Sequence, residues 1–180
     1  MDKFILLGER GAGKTAFLDN FFSSVNDTRA GQRFDEILVA FALPCQRREV
    51  SVLRHELTFQ GGFWTRQAFR GRFVVLAVDQ SAATLSLEYI QRALDYAQGF
   101  HVRAPVSLLL THADAPARCP DELERIRAFC EAAAIRCEPV DCTRRFAAQV
   151  ALENLLEHCL AKSQRGAPCL LRQEQLYGAE

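Results

Sequence analysis

Apolar positions along the chain fall into short blocks whose spacing alternates between that of strands and that of helices. Residues 3–7 form a brief apolar run that leads straight into a glycine-rich stretch, and residues 13–22 read as the helix after it. Residues 36–43 and 49–59 read as two strands joined through Pro44-Cys45-Gln46-Arg47-Arg48. The second alternates as Val50, Val52, Leu53, Leu57 and Phe59, which allows one buried face. So short a connection predicts an antiparallel pair, because parallel strands need a crossover.

The pattern then becomes regular. Residues 73–78 are continuously apolar, as in a strand covered on both faces. Leu87, Ile90, Leu94 and Ala97 recur at helical spacing, and residues 105–110 give another buried strand. Leu123, Ile126, Phe129 and Cys130 line a helix face, residues 135–140 a last strand, and Val150, Leu152, Leu155, Leu156 and Cys159 a closing helix. Strands alternating with helices predict an α/β fold, a mainly parallel sheet with helices on both faces. One domain is expected over residues 1–162. A polar tail follows over residues 163–180, with Gly166 and Pro168, in which Leu170-Leu171 and Leu176-Tyr177 are able to dock locally.

Composition narrows the function classes. Lysine plus arginine and aspartate plus glutamate each total 22, so the net charge is zero. A broad electrostatic grip on nucleic acid or an anionic membrane is therefore not expected. The seven cysteines include no close CxxC pair, which fits reduced thiols in the cytoplasm. A zinc site from Cys137, Cys142, His158 and Cys159 lacks zinc-knuckle spacing. No stretch approaches the roughly 20 apolar residues of a membrane span. Asp2 at the second position and the ending Leu176-Tyr177-Gly178-Ala179-Glu180 predict no signal peptide, myristoyl or prenyl anchor.

The strongest chemical signal is Gly8-Glu9-Arg10-Gly11-Ala12-Gly13-Lys14-Thr15, a full match to GxxxxGK[ST] placed between a strand and a helix. Such a loop turns consecutive N–H groups inward to cradle phosphate oxygens, and the following helix start, from Ala16 on, adds the positive end of its dipole. Lys14 then supplies a mobile cation for the β and γ phosphates, and Thr15 a hydroxyl for Mg²⁺. With glycine at about 7% of residues, a chance match in a chain of this size has odds below roughly one per cent.

With this loop in place, the sequence resembles the Ras superfamily of small GTPases, in particular its Rab-like and Arf-like branches, over about residues 1–162 in element order. Phe69-Arg70-Gly71, followed by a strand ending Ala77-Val78-Asp79, is similar to the segment before and through the fourth strand of Rab proteins. The resemblance implies a P-loop NTPase three-layer sandwich with a mainly parallel six-stranded sheet, the small GTPase G domain, binding GTP or GDP with Mg²⁺. The family's base-reading motif, Asn/Thr-Lys-x-Asp, falls on Thr111-His112-Ala113-Asp114, with Asp114 implied to pair the guanine N–H groups and His112 in place of the lysine. The family's Ser-Ala-Lys motif falls on Asp141-Cys142-Thr143.

The residues implied for hydrolysis are eroded. The DxxG stretch corresponds to Thr58-Phe59-Gln60-Gly61-Gly62-Phe63, which puts Thr58 or Phe59 at the aspartate position and Gly62 or Phe63 at the glutamine position. The Mg²⁺ threonine falls among Gln32 and Arg33, with Thr28 the nearest threonine, and Arg10 stands closest to the γ-phosphate. Slow or absent GTP hydrolysis is expected. The chain then acts as a nucleotide-dependent interaction module that grips a protein partner through residues 26–36 and 61–72, with Phe34, Phe63, Trp64 and Phe69 as anchors. Degenerate Rab-like proteins without lipid anchors include those of intraflagellar transport, which adds cilium or flagellum to the expected cytoplasmic location. Two alternatives stand beside this reading: an ATP-using P-loop enzyme with Asp79 as its Walker B residue, and a nucleotide-free pseudo-GTPase scaffold.

Overall fold

β1 (Asp2–Gly8) stands near the middle of a seven-stranded sheet and carries the glycine-rich loop at its C-terminal end. The computed structural model describes residues 2–24, 32–33, 36–43, 46–56, 73–100, 105–144 and 146–164. The chain passes from β1 into α1 (Lys14–Ser24), then β2 (Gln32–Arg33), β3 (Glu36–Leu43) and β4 (Gln46–Glu56). It continues through β5 (Phe73–Asp79), α2 (Leu87–Phe100), β6 (Val106–Thr111), α3 (Pro120–Ala132), β7 (Arg136–Pro139) and α4 (Ala147–Gln164). The strand order is β2-β3-β4-β1-β5-β6-β7. From β4 to β7 every pair is parallel, whereas β3 pairs antiparallel with β4 and with β2.

The α/β class, the parallel sheet and the antiparallel hairpin thus appear as the hydrophobic pattern predicts. The strand number does not: among the described residues the sheet has seven strands rather than six. The extra one, β2, is two residues long, too short to show any periodicity. The second hairpin strand begins at Gln46, not Glu49, because Leu43 pairs directly with Gln46 and the ladder extends through polar residues. Backbone pairing holds Gln46, Arg47 and Arg48 in the strand where the side-chain pattern gives no signal. The closing helix runs to Gln164, past the expected end of the domain at 162.

Two cores lie on opposite faces of the sheet. Leu6, Val75, Ala77 and Leu109 point to one face, where they meet Phe17, Leu18 and Phe21 of α1. Ala148, Ala151, Leu152, Leu155, Leu156 and Cys159 of α4, a stripe at helical spacing, close the same layer. Ile5, Leu7, Val74, Leu76, Leu108 and Leu110 point the other way, against Ile90, Ala93 and Leu94 of α2 and Leu123, Ile126 and Cys130 of α3. Alternate residues of a strand face opposite ways, so strands covered by helices on both faces must be apolar throughout. β5 shows this, with residues 73–78 all buried. Phe17 and Phe21 are almost wholly buried. Each such side chain contributes about 1.5–3 kcal/mol, which anchors α1 and with it the loop at its N-terminus. Among the described residues, no helix is long and apolar enough to cross a membrane.

Candidate nucleotide-binding site

After β1 the chain builds β2, β3 and β4 on one side, then β5, β6 and β7 on the other. The switch in direction falls at the C-terminal end of β1, where ligand crevices of open α/β sheets form. The loop from Gly8 to Thr15 occupies this point.

Close approach and backbone conformation dictate its glycines. A Cβ on Gly8 would lie 2.5 Å from the Ala77 carbonyl oxygen of β5, so only glycine lets the two strands meet there. Gly13 has φ +73° and stands so near Thr111 that a Cβ would lie 2.9 Å from that side chain. Gly11, at φ +86°, faces open space. The Ala12 N–H bonds the Glu9 carbonyl at 3.1 Å, and the Phe17 N–H bonds Gly13 at 2.9 Å to start α1. Among the described residues, no protein group accepts the N–H of Gly11 or Gly13. Main-chain donors left open at a positively polarised helix start suit a phosphate.

Lys14, the cation expected from the motif, is held against the loop in this structure. Its ammonium is tucked beneath the loop, donating to the Gly8 carbonyl at 2.7 Å and the Glu9 carbonyl at 2.6 Å, with the residue only 8% exposed. A buried positive charge held by two carbonyls is pre-positioned under the cradle. Thr15 and Ala16 are exposed in the first turn of α1, at the mouth.

Thr111 closes β6 directly under the glycine loop. It is 1% exposed, and its hydroxyl contacts the Ala12 and Val78 carbonyls, each at 3.1 Å. It fastens the loop to β5 and β6 from below. The strand ends are tied further by Gln80 N–H to Thr111 at 3.2 Å and Ala113 N–H to Val140 at 3.1 Å. His112 takes a left-handed conformation, φ 55°, and its carbonyl accepts the Ala115 N–H. Asp114 is exposed beyond this turn.

The segments expected to read the base converge. Burial first, then the charges of Asp141 and Asp114, push the Cys142 thiol up to about 11, which brings residues 114 and 141–142 into one electrostatic neighbourhood. Asp141 folds its carboxylate over the Thr143 N–H, at 2.9 Å, and accepts from the Thr143 hydroxyl and Arg144. The hydrogen bond from that hydroxyl is the main reason its pKa is held below the ordinary value. Asn20 of α1 was not marked by the sequence motifs, yet it clamps this segment. Its amide donates to the Cys142 carbonyl at 2.8 Å and the Arg144 carbonyl at 2.9 Å, and its oxygen accepts the Ala148 N–H at the start of α4. Asn20 lies with Asp19 between the apolar pairs Phe17-Leu18 and Phe21-Phe22, a pattern that gives it no distinguishing signal.

On the other flank of the loop lies a cavity of about 400 Å³ lined by Glu9, Arg10, Asp79, Thr84, Leu85 and Tyr89 among others. Burial and the adjacent Glu9 charge push the Tyr89 phenol above its ordinary range. Arg10, in the glycine loop, thus also borders this cavity. Asp79, the alternative Walker B residue, accepts the Ser81 N–H at 2.8 Å and the Ser81 hydroxyl at 2.6 Å through one carboxylate oxygen.

An acidic residue overlooked in the sequence lies in register with the start of the loop. β4 runs parallel to β1 and its last residue, Glu56, pairs in register with Gly8. Alignment on the glycines at 61 and 62 conceals this position, because strand pairing and not motif spacing defines it. Residues 57–72, with the DxxG-like stretch, and most of residues 26–36 lie outside the described residues, as does the tail from 165. Compared with protein-family models and with curated protein sequences, the chain shows no match, so its function is argued from the site.

Proposed function

We propose that the chain is a P-loop guanine-nucleotide-binding domain of the small GTPase kind that retains GDP or GTP and hydrolyses GTP slowly or not at all. The observation that carries this reading is the loop itself: open N–H groups at Gly11 and Gly13 over the buried Lys14 ammonium, at the switch point of a parallel sheet. Guanine is favoured over adenine by the exposed Asp114 carboxylate, an acceptor for paired N–H donors, beside residues 141–143.

Mg²⁺ fits this donor set. Among the described residues no group of three or more His, Cys, Asp or Glu side chains gathers to hold a metal. Mg²⁺ in nucleotide sites is held mainly by phosphate oxygens and water, with one or two protein ligands. Thr15 would supply one ligand, and Glu56 takes the acidic position at the end of the neighbouring strand. When bound, the ion neutralises phosphate charge; Lys14 and the loop amides position the phosphates whether or not transfer follows.

The ATP-using reading draws on Asp79, which borders the cavity beside the loop. Its bonds to Ser81 occupy one carboxylate oxygen, and Glu56 is level with Gly8 whereas Asp79 lies two residues past Ala77, which packs on Gly8. The exposed Asp114 carboxylate beside residues 141–143 is the reason the guanine reading stands first. Residues 26–36 and 61–72 are proposed to contact a protein partner, in the cytoplasm or, following the resemblance to intraflagellar transport proteins, in a cilium. Competitive titration with GDP and ADP tests the nucleotide: preference for ADP would overturn the guanine reading, and a single-turnover hydrolysis rate typical of active GTPases would overturn slow turnover.

A further inference from the structure

Away from the nucleotide site, α3 ends in a tight turn that folds two cysteines together. The Ile135 N–H bonds back to the Cys130 carbonyl at 2.7 Å, and Ala134 takes a left-handed conformation, φ 52°, so the chain reverses directly into β7. Cys130, in the last turn of α3, and Cys137, the second residue of β7, are thereby brought together: Cys137 packs against the core cluster that contains Cys130. Both line a cavity of about 410 Å³ at the β7 edge, together with Arg127, Glu131, Arg136 and His158. Cys130 is only 1% exposed by its own surface, while Cys137 is half-buried, so the cavity is the route by which a small reagent reaches both.

We propose that Cys130 and Cys137 form a dithiol site that closes to a reversible disulfide on reaction with a small two-electron oxidant of the peroxide class. The Cys130 thiolate attacks one peroxide oxygen, the O–O bond breaks, and hydroxide leaves, giving the Cys130 sulfenic acid. The Cys137 sulfur then displaces that oxygen, which departs as water with the thiol proton. In sum, two thiols and one hydrogen peroxide give one disulfide and two waters. The roles follow from the local chemistry. The neighbouring Cys137 thiol holds the Cys130 thiol below the ordinary cysteine value, while the Cys130 neighbour and burial hold Cys137 above it. Cys130 is the attacking sulfur and Cys137 the resolving one. Among the described residues the remaining cysteines, Cys119, Cys142 and Cys159, have no such neighbour in this cavity. The site is independent of the nucleotide reading.

The test uses the whole reduced protein, treated with hydrogen peroxide, alkylated and digested with trypsin without reduction. Cleavage after Arg127, Arg136 and Arg144 separates the two sulfurs, giving a crosslinked pair of peptides, residues 128–136 and 137–144, two hydrogens lighter than the reduced pair. Fragmentation assigns the bridge to Cys137 rather than Cys142. The crosslink should dominate in the folded protein and lose its selectivity in guanidinium. Cys137→Ser should instead leave Cys130 as a sulfenic acid trapped by dimedone. Bridges scattered over other cysteines in the folded protein would overturn the proposal. So would oxidation of Cys130 to sulfinic acid without a bridge in the wild type, or dimedone-negative Cys130 in Cys137→Ser.

Discussion

The Thr111 hydroxyl lies 3.1 Å from the Ala12 carbonyl, so the end of β6 supports the glycine loop. Its one proton is shared with the Val78 carbonyl, also at 3.1 Å. Thr111→Val keeps the shape and deletes the donor, leaving two buried carbonyls without it. Chemical denaturation should show a loss of about 1–3 kcal/mol, with nucleotide affinity falling in parallel. An unchanged unfolding midpoint would remove Thr111 from the support of the loop.

The loop glycines should not be equivalent. At Gly8 a Cβ meets a backbone oxygen of β5 at 2.5 Å, and neither strand can yield without breaking its ladder. At Gly11 there is open space and only the left-handed conformation to pay for, about 1–2 kcal/mol for a non-glycine residue. Thermal melts should rank Gly8→Ala well below Gly11→Ala. Equal losses would contradict the packing of β1 on β5.

Glu56 is expected to act on the metal side of the nucleotide. In the wild type, Mg²⁺ should slow release of labelled GDP relative to chelator. In Glu56→Gln that slowing should shrink about tenfold, equivalent to about 1.4 kcal/mol, while release in chelator stays near the wild-type rate. Full retention of the Mg²⁺ effect would transfer the acidic role away from β4.

Cys142 reports through its reactivity on the segments proposed to read the base. The thiolate is the nucleophile, and burial with the charges of Asp141 and Asp114 pushes this thiol up to about 11. Alkylation at pH 8 should be slow, and the rate should rise about tenfold per pH unit until the thiol titrates. Removing a negative charge lowers the pKa, so Asp114→Asn should speed alkylation at pH 8. A rate indifferent to Asp114 would separate residue 114 from residues 141–143.

How far the sequence could be read depended on how local each feature is. The glycine loop was legible because its spacing encodes its own conformation, and β5 because burial on both faces leaves an unbroken apolar run. Thr111 was marked at this junction, but its bond to the loop could not be read, because the Ala12 carbonyl that accepts it lies 99 residues away. Asn20 escaped notice for the same reason, since its acceptors lie 122 and 124 residues along the chain. Glu56 was missed because motif alignment follows glycines, whereas the register of β4 on β1 follows pairing of whole strands. The length of β4 was underestimated at its start because a hairpin ladder tolerates polar side chains.

The central claim is that this loop holds a guanine nucleotide, and Lys14 tests it most directly. Equilibrium titration of labelled GDP with Mg²⁺ should show saturable binding to the wild type that GDP competes and ADP does not. Lys14→Ala removes charge-assisted bonds of about 1.5–3 kcal/mol each, so affinity should fall by about ten- to a hundredfold or more in a protein that still melts cooperatively. Binding that survives Lys14→Ala unchanged, or a folded wild type that takes up no GDP, would contradict the account.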